Sequence, residues 1–535
     1  MCPDSLLPAM DTDTARLYAT LEDRVMARDQ KGASDTYYDL VRAGRPLSEL
    51  LSEAVRIHGP YTHVPYHERI DDGFVNFVNN DHCLLSARAT IHLSQWLPPE
   101  AQALPMAQTI WYMPTGLDIW NQKILKAPGH YARGGGELPA GPPPAPVRHW
   151  PDQEPKALSG PLEDRLNEWA TQVHRGNVLE AYSIFLGVMQ NPADRQQALA
   201  QLVFAGLSDV QDRVLYNRSY TTGHKAFRAR ATVELGNLIG WDQAHDVLYA
   251  GALDIGVGPR WYSTYEMACN LITVFIDGDR ISAIPYSGTS EREREVLTQS
   301  APLTQAEGEA LIHVLLREPE PAYIEHLANL LKAGKGPRQI LDVIQLAAAQ
   351  VLLETRDPNG FSIPQHCYEY MNTLGWFYDN FQHPQRLKLL FVAASYLNRN
   401  ATHQRALGDV EPAPAKAPSA AAGLSPNAIL DHAEEALVTI EPEAALAWTR
   451  AYLDTKEDRA PLVQRISLAA CRIGNDPHNQ ELAQCLLEDY GKNKSWDRDR
   501  LIMAAAQHTV QHRKYGDHLE CSHRFGQAMA VERLQ

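Results

Sequence analysis

Apolar positions in this chain recur every three or four residues over most of its length. In ILDVIQLAAAQVLLE (340–354), Ile340, Ile344 and Val351 mark one face, with Leu341 and Ala348 beside it. The segments 161–190, 194–216, 305–332, 428–455, 460–490 and 497–513 carry the same period. Period-two alternation is scarce. The one candidate hairpin is ITVFIDGDRISAI, where Asp277-Gly278 separates two β-branched runs, and it reads equally as a helix end followed by a loop. The pattern predicts an all-α protein.

Two stretches interrupt the helical period. Residues 127–161 are crowded with Pro and Gly and cannot sustain a helix, although Tyr131, His149 and Trp150 give them material to pack with. Residues 408–427 are rich in Pro, Ala and Ser and read as a flexible linker. The expected organisation is therefore an N-terminal helical region (1–126), a connector (127–161), central helical repeats (162–407), a linker (408–427) and a C-terminal helical repeat (428–535).

An internal repeat would change the fold class from bundle to array. DLVRAG ending at Gly44, QLVFAG at Gly206 and NLLKAG at Gly334 each close an apolar run with Ala-Gly, as a left-handed helix C-terminus does. A fourth copy follows at a constant offset of 157: Gly334 with Gly491, Asp342 with Asp499, Ala347–Gln350 with Ala504–Gln507, and His366 with His523. The expectation is an α/α helical-repeat array of helix pairs, the second helix of each bearing a histidine near its start.

The chain has 535 residues, with 65 acidic against 49 basic side chains and a net charge of −16. No Lys/Arg run offers the basic face that phosphates require, so nucleic acid and anionic membrane are set aside as partners. Seven scattered cysteines without a CxxC pair fit a reducing compartment. The first residues turn polar too soon for a secretory signal, and no apolar run reaches 18 residues, which predicts a soluble, cytoplasmic protein. Oligomeric state is left open.

Histidines carry the candidate chemistry. HGPYTHVPYHE holds His58, His63, His67 and Glu68 in a Pro-broken segment, and neutral imidazole is both a common metal ligand and a proton shuttle. His224 follows a Ser/Thr/Gly run resembling a helix N-cap. His366 and Glu369 share a helical face at i and i+3, and His523 is selected by the repeat among the C-terminal histidines. If equivalent positions face one space, His63, His67, His224, His366 and His523 are the expected metal ligands. His58, Glu68 and Glu369 are the expected catalytic residues, with Glu369 or Glu68 also open as a carboxylate ligand or as the partner that orients a ligating imidazole. The competing reading is a buried packing position that tolerates histidine. Trp111, Tyr112, Trp120, Trp261, Tyr262 and Tyr265 supply aromatic material for a pocket or for a core. No P-loop, GxGxxG, HExxH, GxSxG or kinase signature is present.

The order of these motifs resembles that of the questin-oxidase-like proteins, helical oxidoreductases acting on aromatic polyketides. The shared theme is a His-rich early segment (HGPYTHVPYHE), a central His-led helix (GHKAFRARATVEL) and a late one (QHCYEYMNTLGW), together about a tenth of the chain. Phe227 and Arg228 stand where the family's second central histidine falls. The resemblance implies a redox enzyme. Joined to the histidine-lined pocket, it makes a metal-dependent oxidoreductase acting on a small organic substrate, aromatic if the resemblance extends to it, the leading expectation, with iron favoured over zinc. The alternatives are a non-catalytic helical scaffold and a metal-dependent hydrolase or lyase.

Overall fold

A computed structural model describes residues 11–61, 82–115, 145, 153–175, 177–208, 223–242, 244, 264–276, 289–358, 360–408, 415–473, 477–511 and 519–535. Among them are 22 α-helices and no strand, the nearest approach to a sheet being an isolated bridge between Ala301 and Lys335. The all-α expectation is met. The candidate hairpin at Asp277-Gly278 lies outside the described residues.

In chain order the helices are α1 (Thr12–Met26), α2 (Gln30–Arg42), α3 (Leu47–His58), α4 (His82–Trp96) and α5 (Leu104–Tyr112). There follow α6 (Leu162–Arg175), α7 (Val178–Met189), α8 (Arg195–Ser208), α9 (His224–Ile239), α10 (Thr264–Phe275) and α11 (Glu291–Leu297). Next come α12 (Gln305–Arg317), α13 (Ala322–Lys332), α14 (Pro337–Glu354), α15 (Ser362–Asn380) and α16 (Arg386–Ala406). The last are α17 (Pro426–Val438), α18 (Pro442–Asp454), α19 (Ala460–Arg472), α20 (Pro477–Lys492), α21 (Asp499–Gln511) and α22 (Glu520–Met529). None of them is long and apolar enough to cross a membrane.

Local chemistry sets several helix ends. The Asp11 carboxylate accepts from Thr14 N–H at the start of α1, and Thr304 with Glu307 forms a capping box on α12. Gly44 and Gly334 follow α2 and α13 with φ of +74° and +88°, the left-handed conformation their Ala-Gly context predicts. Gly206 differs. It lies inside α8, and a Cβ there would come within 2.9 Å of the Ala226 backbone. Its small size lets α8 and α9 approach closely; it ends nothing.

Buried apolar side chains from Tyr18 to Leu534 form one connected core. The two AAAQ helices, α14 and α21, pack on each other, and the Gln507 side-chain amide donates to the carbonyls of Leu352, Leu353 and Thr355. The residues after the 408–427 linker are part of the same core, because α20 packs against both α4 and α15.

The centre of the molecule is a ring of four helices: α4 against α9, α9 against α15, α15 against α20, and α20 against α4. All four run the same way. Going from their N-terminal ends, His82 meets Glu481, Arg88 meets Cys485, and His92 meets Glu234. On the other side Arg230 meets Asn372, which in turn meets Glu488 and Asp489. Contacts at matching depth from matching ends require parallel helices, and the chain supplies the long connections such an arrangement needs.

Candidate metal centre

Three of the four parallel helices open on or next to a histidine: His82 and His224 are the first residues of α4 and α9, and His478 is the second of α20. His366 sits in the second turn of α15. Side chains on a helix lean toward its N-terminus, so all four rings project to the same end of the bundle. They close a circuit. Ring centroids are 5.5 Å apart for His82–His224, 4.7 Å for His224–His366, 5.4 Å for His366–His478 and 4.2 Å for His478–His82. All four are buried.

Hydrogen bonding fixes the tautomer of two of them. His82 Nδ1 lies 2.9 Å from Glu481 Oε2, and His366 Nδ1 meets the Ser362 carbonyl one turn back. Both partners are pure acceptors, so each Nδ1 carries the proton. In the neutral ring this leaves the lone pair on Nε2. The Nε2 atoms of His82 and His366 are buried and have no hydrogen-bond partner among the described residues. Burial, reinforced by the neighbouring His224 and His478 rings, pushes the His366 pKa well below its ordinary value. A ring held neutral in this way keeps its lone pair available.

One ligand atom each from His82, His224 and His366 lie within 4.8 Å of one another, as do those of His82, His478 and Glu481. Imidazole nitrogens bound to a metal sit about 2.1 Å from it and therefore about 3–4 Å apart, so inward shifts of under ~1 Å close the shell. Of the two sets, the all-histidine one fits the tautomers better: Glu481 is occupied with His82 Nδ1–H. A carboxylate behind a ligating imidazole is a common second-shell arrangement.

Phe227 packs against this floor, its ring nearly parallel to His366 at 6.4 Å and edge-on to His224 at 5.8 Å. Gly223, before α9, holds φ +122°, and a Cβ there would lie 2.4 Å from the Phe227 ring. Where the family resemblance places a second central histidine, this chain puts an apolar support.

Ten residues further along α4, α9 and α20, about 15 Å down the bundle, a second polar layer forms from His92, Glu234 and Glu488. Their ligand atoms also lie within 4.8 Å of one another, but cations already hold the carboxylates. Arg230 reaches Glu234 at 3.1 Å and Glu488 at 2.7 Å, Lys492 reaches Glu488 at 2.7 Å, and His92 lies 3.2 Å from Glu234. Burial would raise the Glu234 carboxyl, but Arg230, with His92 and Arg88, holds it well below the usual carboxylate range. This layer is an ion-pair network. Beside it, burial and then the adjacent Glu488 raise the Asp489 carboxyl to about 7.

Of the residues singled out from sequence, His224 and His366 are brought together. His63, His67 and Glu68 lie outside the described residues. His523 is half-buried on α22, which packs on α2, α5 and α19, and it belongs to no group of converging ligand atoms. Glu369 is buried one turn below His366 on the same face of α15, deeper than the histidine layer. His58 is buried at the end of α3, which packs on α4 and α9, and is likewise outside the converging groups.

His82 and His478 were missed. Both carry readable signals: Asn79-Asn80-Asp81 precedes His82 and Asn475-Asp476-Pro477 precedes His478, each a helix-start motif like the one before His224. The HxxE of His366 and Glu369 also recurs as His478 and Glu481.

Comparison with protein-family models, with curated proteins and with solved structures finds no match to this chain.

Proposed function

We propose that this chain is a metal-dependent oxidoreductase whose ion is held by His82, His224, His366 and His478, and that it acts on a small organic substrate at that centre. One observation carries the metal reading. Four buried imidazoles from four separate helices close a ring of contacts, and ligand atoms of His82, His224 and His366 lie within 4.8 Å of one another. The two rings whose tautomers are fixed keep a buried Nε2 with no hydrogen-bond partner among the described residues. A packing role explains this poorly. A buried acceptor left without a partner costs about 1–3 kcal/mol, and a core has no reason to retain two side by side.

An all-imidazole set with no thiolate suits iron, copper, nickel or zinc. The resemblance to the questin-oxidase-like proteins implies redox chemistry, and iron is the ion of this set that we propose for it. When bound, such an ion supplies one-electron chemistry that the side chains lack. The chain's own part is to hold the His366 ring neutral by burial and to fix the tautomers of His82 and His366 through Glu481 and the Ser362 carbonyl.

The test is metal quantification on protein prepared without added metal or chelator, beside single His→Ala variants at 82, 224, 366 and 478. Near-stoichiometric iron that falls in each variant while helicity is retained supports the proposal. Zinc at the same positions supports a hydrolase or lyase instead. Absence of metal in protein also offered iron, zinc and copper overturns the metal reading.

A further inference from the structure

Reducing a peroxide to water takes two electrons, and a redox ion gives them up one at a time. A buried phenol close to a proposed ligand is placed to supply the second. Tyr368 lies two residues beyond His366 on α15, so the backbone positions that carry the two rings are about 5.4 Å apart. Its side chain is fully buried, and its hydroxyl donates to Asp489 Oδ2 on α20 at 3.0 Å. Asp489 is buried as well, and its Oδ1 accepts from the Asn372 side-chain amide at 3.0 Å. The phenolic proton therefore points at a carboxylate. Tyr370 makes the contrast: equally buried on the same helix, it donates to the Leu207 carbonyl at 2.8 Å. A backbone carbonyl holds that hydrogen bond but cannot keep the proton.

Removing an electron from a phenol makes it a strong acid, and in a low-dielectric interior the resulting cation is costly. The electron leaves readily only where a base takes the proton in the same step. Asp489 is within the hydrogen-bond reach that such a transfer needs. Burial and then the adjacent Glu488 raise its carboxyl to about 7, where a group both accepts a proton and returns it at neutral pH. The network around it extends to solvent. Asn372 also donates to Glu488 Oε2 at 3.2 Å, and Glu488 Oε1 accepts from the partly exposed Lys492 at 2.7 Å.

Resting on the oxidoreductase reading above, we infer that Tyr368 is a redox-active residue that supplies one electron to the oxidised centre while Asp489 takes its proton. The O–H bond of Tyr368 breaks, the electron goes to the ion and the proton to Asp489 Oδ2. A neutral phenoxyl radical and a carboxylic acid remain. With a peroxide as oxidant the balance closes. The peroxide takes up two electrons and two solvent protons and leaves as two waters, one electron coming from the reduced ion and the other from Tyr368. The radical then holds one oxidising equivalent inside the core until the substrate returns the electron and Asp489 the proton.

The experiment uses the full chain loaded with iron(II), mixed with equimolar hydrogen peroxide, frozen at once and read by electron paramagnetic resonance. The expected spectrum shows a ferric signal together with an organic radical whose hyperfine pattern narrows in protein grown on ring-deuterated tyrosine. Tyr368→Phe, at unchanged iron content, should lose the radical and keep the ferric signal, whereas Tyr370→Phe should keep both. Asp489→Asn, which retains an acceptor oxygen but not the base, should lower the radical yield. A ferric signal without a tyrosyl radical, a radical that survives Tyr368→Phe, or one undiminished in Asp489→Asn overturns the inference while leaving the metal centre standing. Protein that binds no iron removes the metal reading and this inference together. Bound iron that peroxide leaves reduced removes the oxidoreductase reading, and the inference with it.

Discussion

At the scale of single residues, the centre depends on groups that touch no ion. Glu481 fixes the His82 tautomer from 2.9 Å. Glu481→Gln retains an acceptor oxygen but loses the charge, and metal affinity measured against a competing chelator is expected to fall about tenfold, the lower end for second-shell changes. Its metal-free thermal unfolding should change far less than its affinity. Gly223 supports the site from beneath. Gly223→Ala must hold φ near +122° and push its Cβ into the Phe227 ring that stacks on His366. The expected cost is about 1–3 kcal/mol from the backbone alone, seen in denaturant unfolding. A variant of unchanged stability would show that Phe227 yields freely.

At the scale of elements, the parallel ring α4, α9, α15 and α20 is what joins distant stretches of sequence. The deeper ion-pair layer fixes their register, with Arg230 at its centre, fully buried between Glu234 and Glu488 and stacked on Trp376. Arg230→Met leaves the buried Glu488 and the half-buried Glu234 short of their main counter-charge and is expected to destabilise by about 3–5 kcal/mol in chemical unfolding. Metal stoichiometry in the fraction that folds should be unchanged, since the layer lies about 15 Å from the histidines. This level also decides what was legible in the sequence. The 3.6-residue period and the Ala-Gly stops at Gly44 and Gly334 report local geometry, and they were readable. His224 and His366, chosen from their own local sequence, lie at and near helix starts. Local density favoured His63 and His67, which lie outside the described residues, and a constant offset favoured His523, a quantity that does not encode which helices pack together. His82 and Glu481 are 399 residues apart, and only the long-range packing of α4 on α20 makes them partners.

At the scale of the whole molecule, a buried histidine links stability to pH, and the proposed centre would link it to metal. Burial, then the nearby Lys388 and Arg386, lower the His383 pKa to about 3, and the ring stacks on Phe204 at 3.9 Å. Its unfolded-state value is about 6.5, so between pH 6.5 and 3 the unfolded chain binds a proton that the folded chain refuses. The contribution is therefore complete above pH 6.5 and is lost as pH falls, by about 2 kcal/mol at pH 5. His383→Gln should flatten that part of the pH–stability profile. Metal acts on the same balance from the other side. In the proposed centre an ion held by residues from His82 to His478 would be bound only when all four helices are assembled, so its binding free energy would become folding free energy for the core. Stabilisation then grows as the logarithm of free metal, about 2.7 kcal/mol at a hundred times the dissociation constant. Thermal unfolding of the wild-type protein should shift upward progressively with added metal and return to its metal-free value with chelator. In a His82→Ala, His366→Ala double variant the melting temperature should be independent of both additions. A metal-dependent shift of equal size in that variant would place the ion elsewhere in the chain.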